Sequence, residues 1–172
     1  MQKMSIMDWK ARIDRQFEAG LYEFVSIGVR ETREITNFEY ALVPEEIKEL
    51  VSAPVDEEII ERDFIVKRSI EMFDQFLSKD VCSRQGAFVN NYDGQDNHCI
   101  SYFQHYIRDN KYCMNIYVRS MDYKRNFVYD NQTFNLAYSE VFKRITKDNL
   151  DVKTGYIRVF VFSLHEYIKK EN

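Results

Sequence analysis

The stretch that decides the fold is Asn97-His98-Cys99-Ile100-Ser101-Tyr102-Phe103-Gln104-His105-Tyr106-Ile107-Arg108-Asp109-Asn110-Lys111-Tyr112-Cys113-Met114-Asn115-Ile116-Tyr117-Val118-Arg119-Ser120-Met121-Asp122. Two runs rich in β-branched and aromatic residues, 98–108 and 111–119, flank Asp109-Asn110-Lys111. Side chains that favour a pleated surface on either side of a tight polar turn predict a β-hairpin. A polar loop precedes the first strand, so Cys99 stands at a strand start. A thiol there is either a solvent-reachable nucleophile or a half-buried strand cysteine. Arg119-Ser120-x-Asp122 closes the second strand. A guanidinium and a hydroxyl at a strand end suit phosphate oxygens, and surface ion pairing is the plainer alternative.

Outward from the hairpin, the chain reads as one mixed α+β domain over 1–172. Ile6, Trp9, Ile13, Phe17 and Leu21 recur at helical spacing in the first twenty residues. Segments 22–29 and 34–43 read as strands joined by a polar turn at Arg30-Glu31-Thr32-Arg33. Pro44-Glu45-Glu46 opens a short helix, and Asp56-Glu57-Glu58 a longer one that runs to about Leu77. A strand at 86–90 precedes the hairpin. After it, a polar loop over 122–132 leads to a helix over 133–147 carrying Phe134, Ala137, Tyr138, Val141 and Phe142 on one side. The last strand, 155–162, ends in Ser163-Leu164-His165-Glu166-Tyr167. In an extended segment His165 and Tyr167 share a face, where they either hold a sugar hydroxyl or form a structural pair.

Composition narrows the function. The chain has 172 residues, 45% hydrophobic and 30% charged, which suits a globular domain with a real core. A net charge of −4 argues against a protein whose task is gripping a nucleic-acid backbone. With 5 Gly, 2 Pro and neither a P-loop nor a GxGxxG, ATP- and dinucleotide-dependent readings lose their usual motifs. The 3 cysteines, Cys82, Cys99 and Cys113, show no metal-ligand spacing. No apolar run reaches the length of a membrane span, and MQKMSIMDWK lacks the core of a signal peptide. A cytoplasmic protein with reduced thiols is the expectation.

Order and spacing of these motifs resemble the thymidylate synthase and pyrimidine hydroxymethylase superfamily. Cys99 precedes a strand with Gln104 five residues on; a hairpin follows, and the next strand ends in Arg119-Ser120-Met121-Asp122. Phe134-Asn135-Leu136-Ala137-Tyr138 is similar to the family's Phe-Asn-x-Ala helix start, and His165-Glu166-Tyr167 to its His-x-Tyr. Ser83-Arg84 resembles its Ser-Arg-Arg pair. The resemblance covers about 80–168 and departs from the family in having Ile100 rather than His after the cysteine.

The resemblance implies a thymidylate synthase-like mixed sheet flanked by helices, paired sheet to sheet in a homodimer. It implies C5 methylation or hydroxymethylation of a pyrimidine deoxynucleoside monophosphate, dUMP or dCMP, through a Cys99 adduct at C6. Arg119, Ser120 and a partner-subunit Arg84 would bind the 5′-phosphate, with Arg30 or Arg33 as a further contact. Asp122 would align near the base, and His165 and Tyr167 would hold the 3′-hydroxyl. Gln104 would support the cysteine strand or the dimer-facing sheet, and Glu71 would relay protons.

Asn135 would read the base edge, although an ungapped count brings Asp130 to that position. In this superfamily Asn goes with uracil and Asp with cytosine, whose N3 and C4 substituents exchange donor and acceptor. The implied one-carbon donor is 5,10-methylenetetrahydrofolate. The family meets it with a Trp-rich segment, whereas this chain has a single tryptophan, Trp9.

Overall fold

The computed structural model describes residue 4 and residues 6–27, 30–42, 64–80, 83, 85–89, 99–148 and 151–168. Helix α1 (Ile6–Glu18) leads into β1 (Glu23–Ile27) and β2 (Arg30–Leu42). Helix α2 (Phe64–Met72) ends in a wider π turn (Phe73–Leu77) before β3 (Ala87–Val89), β4 (Ile100–Arg108) and β5 (Lys111–Asp122). Helix α3 (Tyr123–Asp148) and β6 (Lys153–Tyr167) complete the order. One six-stranded mixed sheet runs β1-β2-β6-β5-β4-β3, with β5 and β6 parallel and the other neighbours antiparallel. A parallel pair cannot be joined by a tight turn, and α3 supplies the crossover. The fold is therefore the expected mixed α+β sheet flanked by helices.

The hairpin forms where the sequence places it. Asp109 and Asn110 take φ of 51° and 56°, the left-handed pair that matches the twist of flanking strands, between Arg108 and its partner Lys111. Other expectations are corrected. Arg30 to Arg33 is not a turn: these residues are the first of β2, paired with Ile27 back to Phe24. Leu21 follows the end of α1 and is exposed. The segment 122–132 is no loop, because α3 begins at Tyr123 and continues unbroken to Asp148. Its polar residues alternate with Tyr123, Phe127 and Asn131, all buried at one-turn spacing. The helix expected after Asp56 is described only from Phe64, and the short one at Pro44 lies outside the described residues.

The helices cover one face of the sheet. Trp9 of α1 packs edge-on to Phe38 of β2 and donates its indole N–H to the Ala41 carbonyl at 3.0 Å. Phe127 of α3 meets Tyr40, and the Tyr138 hydroxyl donates to the Tyr112 carbonyl at 2.7 Å. At Gly155 the parallel strands approach so closely that a Cβ would fall on the Tyr112 carbonyl oxygen.

Alternation breaks at a single level across three adjacent strands. Core-facing residues in β2 run Leu42, Tyr40, Phe38 and then Ile35. In β6 they run Ile157, Val159, Val161, Leu164; in β5, Met114, Ile116, Val118, Met121. Each strand skips two residues in place of one: Asn37 and Thr36, Phe162 and Ser163, Arg119 and Ser120. These steps are in register, since Val118, Val161 and Phe38 pair on one side and Ser120, Ser163 and Thr36 on the other. In β4 the register shifts between Ile100 and Tyr102, and Asn37 adopts φ 53°. The sheet is thus kinked along a line, and beyond it odd and even positions exchange faces.

Candidate functional site

The kink assembles the site. Two consecutive residues, Arg119 and Ser120, lie away from the core, which regular alternation forbids. Beyond them the strand ends present Ser163, His165 and Tyr167 of β6 and Glu34 of β2 on that same side. A hydrogen bond joins Ser120 Oγ to His165 Nδ1 at 3.2 Å. The His165 and Tyr167 rings meet edge to face with centroids 5.2 Å apart. Glu34 accepts from Ser163 Oγ at 2.8 Å and from Thr32 Oγ1 at 2.9 Å. On the other flank, the Arg119 amide donates to the Cys99 carbonyl at 2.7 Å, which places the free, exposed cysteine beside Arg119. Across the sheet the row reads Cys99, Arg119 and Ser120, His165 and Tyr167, Glu34.

This row unites five residues that the sequence nominates: Cys99, Arg119, Ser120, His165 and Tyr167. It offers a thiol, a cation with a neighbouring hydroxyl, and a His-Tyr pair within a few strand spacings of about 4.8 Å each. Glu34 and Ser163 carried no motif, and the kink alone brings them to the row.

Asp122 adjoins the row, and the remaining nominees stand elsewhere. Asp122 neighbours His165 in the β5–β6 register, and its Oδ1 accepts from the Lys124 and Arg125 amides at 3.1 and 3.2 Å. It caps the N-terminus of α3. Arg33 pairs with the buried Glu166 and lies over the Phe17 and Tyr22 rings, on the opposite face from His165. Lys124 reaches the same carboxylate at 2.8 Å. Glu71 is paired with Arg68 on α2 at 2.6 Å. Gln104 is half-buried on the face of the sheet away from the helices, between Ala87 and Asn115. Arg84 and the Arg30 side chain lie outside the described residues.

Asn135 is the largest departure. With α3 starting at Tyr123, Asp130 and Asn135 follow Asp122 by 8 and 13 residues of continuous helix. At 1.5 Å per residue that is about 12 and about 20 Å from the strand end. Asn135 is buried, and its Oδ1 has no hydrogen-bond partner. The expected placement relied on a loop before the helix, and the earlier helix start removes it.

Nor do the described residues fit the folate donor. Trp9 is 7% exposed, packed in the core with its N–H already bound. Among the described residues no cluster of three or more His, Cys, Asp or Glu could hold a metal ion, and no helix is long and apolar enough to cross a membrane. A shallow concavity of about 660 Å³ runs along α1 past Asp8, Arg12, Arg15 and Gln16, and none of the nominated residues borders it. No protein-family model and no curated protein sequence matches this chain.

Proposed function

We propose that the protein binds a pyrimidine nucleoside monophosphate along the kinked strand ends and activates its C5 by addition of Cys99 to C6. This is the step common to C5 methylation and hydroxymethylation in the thymidylate synthase and hydroxymethylase superfamily. The observation that supports it is the contiguous row from Cys99 through Arg119 and Ser120 to His165 and Tyr167, joined by the Ser120–His165 and Arg119–Cys99 hydrogen bonds.

In this reading Arg119 and Ser120 take the 5′-phosphate, whose geometry suits a guanidinium. His165 and Tyr167 take the 3′-hydroxyl. The Cys99 thiolate forms a bond to C6, and the electron pair of the 5,6 double bond passes to C5 and the ring carbonyl system. C5 then accepts a proton or another electrophile. Loss of the original C5 hydrogen and expulsion of the thiolate restore the ring.

A second reading, a nucleotide-binding protein without C5 transfer, is favoured by the positions of Asn135 and Glu71. Neither stands in the row.

Release of tritium from C5-labelled uracil and cytosine nucleotides, in ribo and deoxy forms, separates the two readings. Release that Cys99→Ala abolishes, with binding retained, is the expected result and names the base. Binding without release leaves the second reading. Absence of binding removes both.

A further inference from the structure

The strongest feature that the proposed chemistry leaves unused is the carboxylate of Glu34. It sits opposite His165 in the β2–β6 register and closes the row at the end away from Cys99. Nothing in its sequence surroundings marks it; the exchange of faces at Asn37 and Phe162 turns it toward His165 and Tyr167.

A carboxylate accepts hydrogen bonds and donates none, through two oxygens with about four lone-pair directions. Thr32 and Ser163 each fill one direction, one on each oxygen. These two hydroxyls fix the carboxylate in place and leave each oxygen able to accept once more. Glu34 is half-buried, so what it meets on the open side has to bring donors. A phosphate dianion brings none and is repelled, which agrees with the phosphate lying on Arg119 and Ser120. The pyrimidine ring is directed toward Cys99, while the Glu34 carboxylate reaches back over β6 to Ser163. What remains of a nucleoside monophosphate is the sugar and its hydroxyls.

The 3′-hydroxyl is already met by His165 and Tyr167. The adjacent donor on the same sugar edge is the 2′-hydroxyl, present in ribose and absent in deoxyribose. We infer that Glu34 accepts from the 2′-hydroxyl and selects pyrimidine ribonucleoside monophosphates over their deoxy counterparts. The inference rests on the proposed nucleotide reading of the same row and names its sugar.

Calorimetric titration of the full chain with UMP, dUMP, CMP and dCMP tests it, using the unaltered protein, Glu34→Gln and Glu34→Ala. A hydrogen bond to a charged acceptor predicts that the ribonucleotide binds about tenfold or more tightly than the deoxynucleotide of the same base. Glu34→Ala brings the two within about threefold by weakening the ribonucleotide alone, since only the lost 2′ contact separates them. Glu34→Gln keeps an acceptor without the charge and falls between; it decides the matter if the alanine variant fails to show a cooperative thermal transition. Equal or tighter binding of the deoxy form overturns the inference while leaving the nucleotide reading standing. So does a ribose preference that survives both substitutions. Failure of all four nucleotides to bind overturns the nucleotide reading, and the sugar assignment falls with it.

Discussion

Asp122 shows how one side chain is claimed by two explanations. Its place in Arg119-Ser120-x-Asp122 assigns it to the base, yet its Oδ1 holds the first free amides of α3. An N-cap of this kind contributes about 1 kcal/mol. Asp122→Ala is expected to destabilise the protein by about that amount in urea unfolding, whereas Asp122→Asn, which also caps, stays within about 0.5 kcal/mol of the original. If nucleotide affinity follows stability across the two variants, Asp122 acts by capping. A loss of affinity in the well-capped Asn variant would return it to the site. Asn135 presents the converse: a buried acceptor without a partner, about 20 Å along the helix from the strand end. Cys99, which its sequence setting leaves as either a reachable thiol or a half-buried strand cysteine, is exposed one residue before β4.

At the scale of elements, the joint of α2, β4 and β5 is held by a buried polar chain. His105 of β4 is fully enclosed, with its Nδ1 against the Tyr112 hydroxyl and its Nε2 2.9 Å from Ser69 Oγ of α2. Burial among rings and hydroxyls, with no carboxylate partner, pushes its pKa down from 6.5 to about 3. The folded protein therefore keeps His105 neutral, while the unfolded chain takes up a proton near its ordinary value. Its contribution to stability is full above about pH 6.5 and is lost as pH falls toward about 3, at close to 1.4 kcal/mol per pH unit. Between pH 7.5 and pH 5 the loss is about 2 kcal/mol. Urea unfolding at the two values checks this, with His105→Gln as the reference that removes the slope. An unchanged slope in that variant would assign the pH dependence to other groups. The kink is the second device at this scale. Three strands each carry a two-residue step in register, so one distortion turns the ends of all three together.

At the scale of the whole molecule, the described helices cover one face of the sheet and aromatic rings line the other. Tyr102 meets Tyr117 edge-on at 5.4 Å, Tyr117 stacks on Phe160 at 4.5 Å, and Phe162 is 52% exposed. Hydropathy pattern and turn chemistry were enough, on their own, to read the mixed α+β class, the β4–β5 hairpin and the N-terminal helix, because these depend on neighbours within a few residues; the family resemblance grouped Cys99, Arg119-Ser120 and His165-x-Tyr167. They failed at 122–132, where polar residues on the outer face of a helix look the same as a loop. They did not mark Glu34, they put Arg33 in a turn, and they set Asn135 near a helix start. Which face a side chain takes depends on the skipped residue at the kink, and how far Asn135 lies from the strand ends depends on where α3 begins. Both are settled by packing between strands and helices distant in sequence, so only the tertiary structure decided which residues share the site.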